Sequence, residues 1–344
     1  MTIDHSTRPT SGYGDLLREV RALGLLDRRP WFYAGVFSVL VLVGAVVVGA
    51  MVAWADHWWL VALAPVLAVV STQLGFLGHD LGHRQVVRSP RTSTRLGLVC
   101  GNLLGGMSYH WWVVKHNAHH AHPNDLETDP DVAVGALVWD AGQAAERRGF
   151  AAWVTRHQAL LFFPMTMLEA LNLHAVGVIE MFRPGVPHRA AESVLLGLHL
   201  VGYTALLVTT LTWQQALVFL IVHKVLQGLY LGLSFAPGHK GMPVLDAEQA
   251  ADPLLRQVLT SRNLRGSRFL DTALGGLNYQ IEHHLFPNMP RPSLRRAQPV
   301  VRDFCERRGV TYTEVRPFAS YAIGLRHLHA VGAGLRSRSG DPAS

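Results

Sequence analysis

Residues 58–83 read WWLVALAPVLAVVSTQLGFLGHDLGH. As far as Gly78 the run is apolar and carries no formal charge, and just past it stand His79 and His83, four positions apart. A helix of that length spans a bilayer core of about 30 Å. Positions four apart share one helix face. The same stretch therefore predicts a membrane span and a pair of imidazoles aimed from its end.

Working outward, residues 32–54 form a second uncharged apolar run, and only Ala55, Asp56 and His57 separate the two. So short a connection predicts a hairpin. A further pair of apolar runs, 193–210 and 213–235, flanks the turn Thr210-Leu211-Thr212. Composition agrees: 49% of the 344 residues are hydrophobic and 16% charged, against about 25% charged in soluble domains. The expected fold class is an all-α integral membrane protein, with two transmembrane helical hairpins (four spans) and a cytoplasmic helical cap carrying a metal site.

Charge orients it. The first hairpin tip has no Lys or Arg, whereas Arg84, Arg88, Arg91 and Arg95 follow the second run. Positive loops stay inside, so the N-terminus, the C-terminus and His79 are expected on the cytoplasmic side of a multi-pass cell-membrane protein. Arg183, Arg189 and Lys240 place the second hairpin the same way, and Trp54, Trp58 and Trp59 supply an outer aromatic belt. The net charge of +7 then belongs to inner-leaflet loops. No basic stripe on a polar module points to nucleic acid. Cys100 and Cys305 are too few for a disulfide framework or a thiolate site. The N-terminus lacks a short apolar core, so no cleaved signal peptide is expected.

The chain divides into an N-terminal interfacial segment (1–30), the first hairpin (32–78), a cytoplasmic and interfacial cap (79–190), the second hairpin (191–236), and a second cap region with the tail (237–344). In the first segment Leu16, Leu17, Val20, Leu23 and Leu26 recur at helical spacing among Arg18, Arg21, Arg28 and Arg29. That pattern fits a helix on the inner leaflet or, equally, a soluble cap helix. Residues 96–109 are Gly-rich and too short to span, as expected of a re-entrant or interfacial piece. His199, His223 and Lys224 fall within or near the spans. Such groups are functional suspects, though a lone histidine there more often serves packing.

Two more histidine clusters follow the first. His116, His119 and His120 sit at i, i+3 and i+4, which places three imidazoles on one helical stripe. His110 and His122 are out of register with it. His283 and His284 close the run QIEHH, with Gln280 where such a stripe would begin. An amide there can ligate, bridge through water or hydrogen-bond an outer group. His239 lies just past the fourth span, at the same membrane face, and becomes a plausible extra ligand. Asp80 and Glu282 stand next to ligand candidates and can orient rings through their second nitrogen. Asn117, within the second cluster, is a further possible ligand or outer-shell group.

The candidate ligands are thus His79, His83, His116, His119, His120, His239, His283 and His284. They are too many for one four-coordinate zinc. They suit two ions, each with room left for water or dioxygen. Imidazole alone does not separate zinc, copper and iron. Heme would need opposed ligands on facing helices inside the membrane, and the H-E-x-x-H, G-x-S-x-G and P-loop motifs do not occur.

HDLGH (79–83), KHNAHH (115–120) and NYQIEHHLFP (278–287) together resemble the three histidine boxes of the membrane fatty acid desaturases. Trp111-Trp112 before the second box and Leu285-Phe286-Pro287 in the third strengthen the likeness, which runs from about Gly75 to Arg296. The resemblance implies two iron ions held by the box histidines. It implies dioxygen activation and a cis double bond placed in an acyl-CoA or acyl-lipid chain. It also implies that His239 is a metal ligand outside the boxes. The glutamine heading the third box is similar to that of front-end acyl desaturases, which act near the carboxyl end. Many of those carry a fused cytochrome b5 domain with an HPGG motif, which is absent from this sequence. A separate electron donor, such as a ferredoxin or a reductase, is therefore expected. Arg262, Arg265 and Arg268 are candidates to meet a substrate headgroup or such a donor.

An unactivated methylene has no polar handle for acid–base chemistry, so a metal–oxygen oxidant is the physically reasonable agent. A hydroxylase or ketolase using the same centre differs only in returning oxygen to carbon. A non-enzymatic metal-handling membrane protein would need ionisable residues along a continuous path, and His199, His223 and Lys224 do not obviously make one.

Overall fold

The computed structural model describes residues 12–337. Residues 1–11 and 338–344, the outer parts of the expected N-terminal segment and C-terminal tail, lie outside the described residues. Among the described residues four helices are long and apolar enough to cross a membrane: Pro30–Ala53, Trp58–Gly82, Arg189–Thr210 and Trp213–Gly238. The chain is an all-α integral membrane protein. Its strands, among the described residues, are a single two-residue parallel pair, Asn263–Leu264 beside Glu314–Val315.

Local chemistry builds the hairpin tips and ties them together. Asp56 adopts a left-handed φ of 64°, a conformation Asp tolerates better than most residues. Its N–H donates to Thr210 O at 3.0 Å, and Gln215 Nε2 donates to Asp56 O at 2.8 Å. Thr212 and Gln215 form a capping box at the start of the fourth span. Val47, Leu60, Leu207 and Phe219 pack behind this junction. With the tips joined, the far ends of the second and fourth spans emerge side by side.

The spans differ in what surrounds them. Only 11% of the first span's apolar window is buried within the protein, against 50% of the second's. Val39, Leu42 and Val46 of the first span face outward, where lipid suits them. The second span is the inner helix, so what projects from its end meets protein.

Three segments take forms that the sequence left open. The helix Tyr13–Ala22 does not reserve its apolar face for a leaflet. Leu16 and Val20 are buried against Val301, Phe304 and Leu285, and Tyr13 donates to Leu285 O at 3.0 Å. An amphipathic stripe does not say whether lipid or protein will cover it, and here protein does. Residues 90–104 form a helix and a single π turn packed on the second span. Within 126–190, Gln158–Thr166 and Glu169–Phe182 together have the apolar length of a span, but bend by 68°. Gly228 of the fourth span admits that bend, since a Cβ there would fall 2.6 Å from Met167 O.

The intramembrane polar groups have local partners. His199 Nδ1 donates to Leu103 O at 2.9 Å, His223 meets Tyr203 at 2.7 Å, and Lys224 Nζ donates to Gln227 Oε1 at 3.1 Å. The first two contacts join helices within the bundle, and the third lies within the fourth span.

Candidate metal centre

The end of one span, two shorter helices and one loop deliver the eight imidazoles. His79 and His83 end the second span. His116, His119 and His120 line one face of Tyr109–Ala121, whose start is set by Ser108. Its Oγ accepts from Trp111 N at 3.2 Å and donates to Glu192 at 2.8 Å. His283 and His284 lie in Gln280–Leu285, a six-residue helix buried throughout. His239 follows the fourth span directly.

These side chains converge into two groups. Ligand atoms of His79, His83, His116 and His283 lie within 4.8 Å of one another, and so do those of His119, His239 and His284. His120 stands between the groups, its ring 4.5 Å from that of His83 and stacked 4.1 Å from that of His284. The Nε2 atoms of His79 and His283 are 3.1 Å apart, those of His116 and His120 3.1 Å, and those of His119 and His239 3.3 Å.

The far sides of the rings explain their orientation. His79 Nδ1 donates to Asp80 at 3.0 Å, and Arg291 holds the other Asp80 oxygen at 2.6 Å. His119 Nδ1 donates to Asp129 at 2.9 Å, His239 Nδ1 to Thr260 O at 3.0 Å, and His284 Nδ1 to Gln257 Oε1 at 3.0 Å. Each such bond puts the proton on Nδ1 and leaves the Nε2 lone pair pointing inward. His119 and His239 are both pinned this way, so two unprotonated nitrogens approach to 3.3 Å, that of His239 with the Gln280 amide beside it. A cation between the two rings would satisfy both. Further, His83 Nε2, His120 Nδ1 and His284 Nε2 are buried without a hydrogen-bond partner, which is costly unless something binds them.

Burial first, and the neighbouring imidazoles second, hold His83, His116, His120, His239, His283 and His284 well below the ordinary histidine range. They are neutral at pH 7, the form that binds metal. The donor set fits two imidazole-ligated ions, with Trp112 stacked 4.6 Å from His116 as an apolar wall.

The remaining candidates divide. Asp80 lies against His79 as described. Gln280 Nε2 donates to His239 Nε2 at 2.9 Å, so its amide reaches into the pocket. Glu282 does not orient a ring: its carboxylate accepts from Asn263 and from Tyr312, each at 2.7 Å, and burial pushes it up to about 7. Asn117 is exposed, at the edge of the histidine stripe, whereas His119 and His120 are buried. Arg262 is not a surface charge. It is 1% exposed, and its guanidinium donates to Pro237 O at 2.7 Å, to Ser320 Oγ at 2.6 Å and to Lys240 O. It holds the loop that carries His239 and is closed to a headgroup or a donor. Arg265 and Arg268 are exposed.

Sequence reasoning missed Asp129, Gln257, the Thr260 carbonyl and Arg291. The acidic run from Asp125 to Asp131 after the second box was a usable signal for the first. The others arrive from distant segments and leave no local mark.

A cavity of ≈ 260 Å³ adjoins the cluster. Near His119 its wall is charged, with Lys115, Asp131, Glu169 and Lys240. Towards the membrane it is lined by Gly75, Leu231 and Phe235 among others.

A helical membrane protein with an imidazole cluster at the shared end of its spans is the class this geometry defines. A family model described as fatty acid desaturase matches residues 56–316, and the chain belongs to that family. It is 30% identical over 269 residues to an acyl-lipid (9-3)-desaturase of Physcomitrium patens, covering 74% of this chain and 50% of the relative. It is 28% identical over 341 residues to a Delta(5) fatty acid desaturase of Caenorhabditis elegans, covering 95% and 75%. Over 340 residues it is 26% identical to a Delta(8)-fatty-acid desaturase of Arabidopsis thaliana, covering 94% and 76%. The chain thus spans half the length of the Physcomitrium patens relative and about three quarters of the other two. Family membership makes it an oxidoreductase of the desaturase kind.

Proposed function

We propose that the protein is an O2-dependent fatty acyl desaturase that places a cis double bond in an acyl-CoA or acyl-lipid chain at a centre of two iron ions. The observation that carries this reading is the pair of inward-facing imidazole groups, in which His79, His119, His239 and His284 have their outer nitrogens bonded away. Bound there, two iron ions would supply the oxidation: one O2, two electrons and two protons, with two hydrogens from adjacent methylenes, give one double bond and two waters.

The chain's own residues do the rest. His79, His83, His116 and His283 hold one ion, and His119, His239 and His284 the other. His120 serves the boundary, and Gln280 is a ligand or a hydrogen-bond donor beside it. Asp80, Asp129, Gln257 and the Thr260 carbonyl keep the rings turned inward. The apolar part of the cavity excludes water and holds the acyl tail beside the centre. Arg265 and Arg268 offer charge to a lipid or CoA headgroup, or to an acidic electron donor such as a ferredoxin or a reductase. The histidine face and both termini are cytoplasmic, in a multi-pass protein of the cell membrane.

The test is expression in a host of defined lipid composition, with metal analysis of the purified protein and mass spectrometry of host acyl chains. New unsaturation together with bound iron supports the reading. Bound iron with no new unsaturation under any donor supplied overturns it.

A further inference from the structure

Four glycines line the cavity beside the imidazole cluster: Gly75, Gly78, Gly101 and Gly232. Two have a packing reason: a Cβ on Gly232 would fall 2.6 Å from Thr166, and one on Gly101 2.9 Å from Tyr109. One on Gly78 would make only an ordinary contact, 3.8 Å from Cys100. Gly75 is the most open of the four, for a Cβ there would meet nothing within 4 Å. Nor does its backbone require glycine, since it lies inside the helix Ala64–Gly82 and is absent from the positive-φ residues. Glycine within a helix costs stability relative to alanine. What that position supplies here is empty space.

The space has a definite place. Gly75 precedes His79 by one helical turn and so shares its face. Side chains on a helix lean towards its N-terminus, so bulk at 75 would extend from the metal cluster into the membrane. Leu231 stands one turn before Phe235 on the adjoining fourth span, on the same side of the cavity. At the other end are Lys115, Asp131, Glu169 and Lys240, where burying a methylene chain gains little and desolvates charge. An acyl substrate therefore lies with its carboxyl-derived end at the charged groups and its methyl-terminal part past Gly75.

We infer that Gly75 is a specificity-determining residue. The room it leaves sets how much of the acyl chain fits beyond the oxidised carbons, and hence which chain lengths are accepted and where the double bond falls. This inference rests on the desaturase reading proposed above.

The test compares the wild type with Gly75→Ala and Gly75→Leu in a host fed saturated acyl chains of graded length. Three quantities are read: the chain length and double-bond position of the products, the length of the lipid that copurifies with the protein by native mass spectrometry, and iron per chain. The leucine variant should bind iron as the wild type does but lose the longer products by about tenfold for each methylene excluded. In chains it still accepts, the double bond should move towards the methyl end. The alanine variant should shift the same way by less; it keeps the test decisive if leucine prevents folding. Unchanged product lengths, bond positions and copurifying lipid in a variant that retains iron would overturn the inference. Failure of the wild type to desaturate would instead defeat the proposed function, and the copurifying lipid would still report on Gly75.

Discussion

His119 and His239 are 120 positions apart in the chain, yet their Nε2 atoms approach to 3.3 Å with both Nδ1 atoms already bonded elsewhere. Neither Nε2 therefore has a proton to offer the other; Gln280 Nε2 donates to that of His239, while His119 Nε2 meets only an unprotonated nitrogen there, a contact that a cation would relieve. His239→Ala leaves its group with two imidazoles, His119 and His284, short of the three or four protein ligands an ion needs. It should lower bound metal by about one ion per chain, measured by elemental analysis, whereas His122→Ala, at an exposed position beyond the helix, should leave it unchanged.

Asp129→Asn keeps the shape of the side chain that accepts from His119 Nδ1 at 2.9 Å but removes its charge. Outer partners of this kind tune affinity without touching the ion, and their loss typically costs about 10–100-fold. Metal titration should show that drop with little change in helix content by circular dichroism. An unchanged affinity would mean that the carboxylate only holds the loop.

Arg291 and Asp80 form an ion pair at 2.6 Å, with side chains 7% and 2% exposed. Removing one partner of a buried pair leaves an uncompensated charge and costs about 3–5 kcal/mol. Arg291→Met should therefore lower the unfolding midpoint in detergent, and should loosen His79, which shares Asp80. Adding Asp80→Asn to Arg291→Met should recover part of the loss.

Arg262→Ala should behave as a stability mutation. Its charged hydrogen bonds to Pro237, Ser320 and Lys240 are together worth about 3 kcal/mol or more, and they hold the residues flanking His239. Reduced thermal stability and reduced metal content should appear together. Arg265→Ala and Arg268→Ala, both exposed, should change stability by about 0.5 kcal/mol or less. If they act at all, it should be on KM for the acyl carrier or the donor.

Metal retention should be lost in acid, with the midpoint below the ordinary histidine value of 6.5. Burial depresses His116, His120, His283 and His284 in the folded chain, while the unfolded chain takes up its protons near 6.5. Their neutral form thus contributes stability above 6.5 that is lost as the pH falls from there through the depressed folded values. Metal content and thermal midpoint measured down a pH series should hold level above 6.5 and decline below it. A rise in stability on acidification would contradict the assignment.

Local periodicity made much of this legible. The length of the runs in residues 58–83 and 213–235 predicts spans, and the three- and four-residue spacing of His116, His119 and His120 predicts one shared face. Periodicity does not say what covers that face. The stripe of Leu16 and Val20 reads alike for lipid and for protein, and the structure buries it against Val301 and Phe304. Arg262 sits three residues before Arg265 with nothing local to separate them. One is sealed under carbonyls and the other is exposed, because only the returning segment with Ser320 closes over the first.

By itself the sequence determined the membrane spans, their pairing into hairpins and which side chains are chemically able to hold metal, since each depends on neighbours within a few turns of one helix. Tertiary structure alone decided that His79 meets His283, that Asp129 and Thr260 turn two rings inward, and that Gly75 borders a cavity. Those relationships join segments from tens to a couple of hundred residues apart. They are set by how the helices close on one another, which no local pattern encodes.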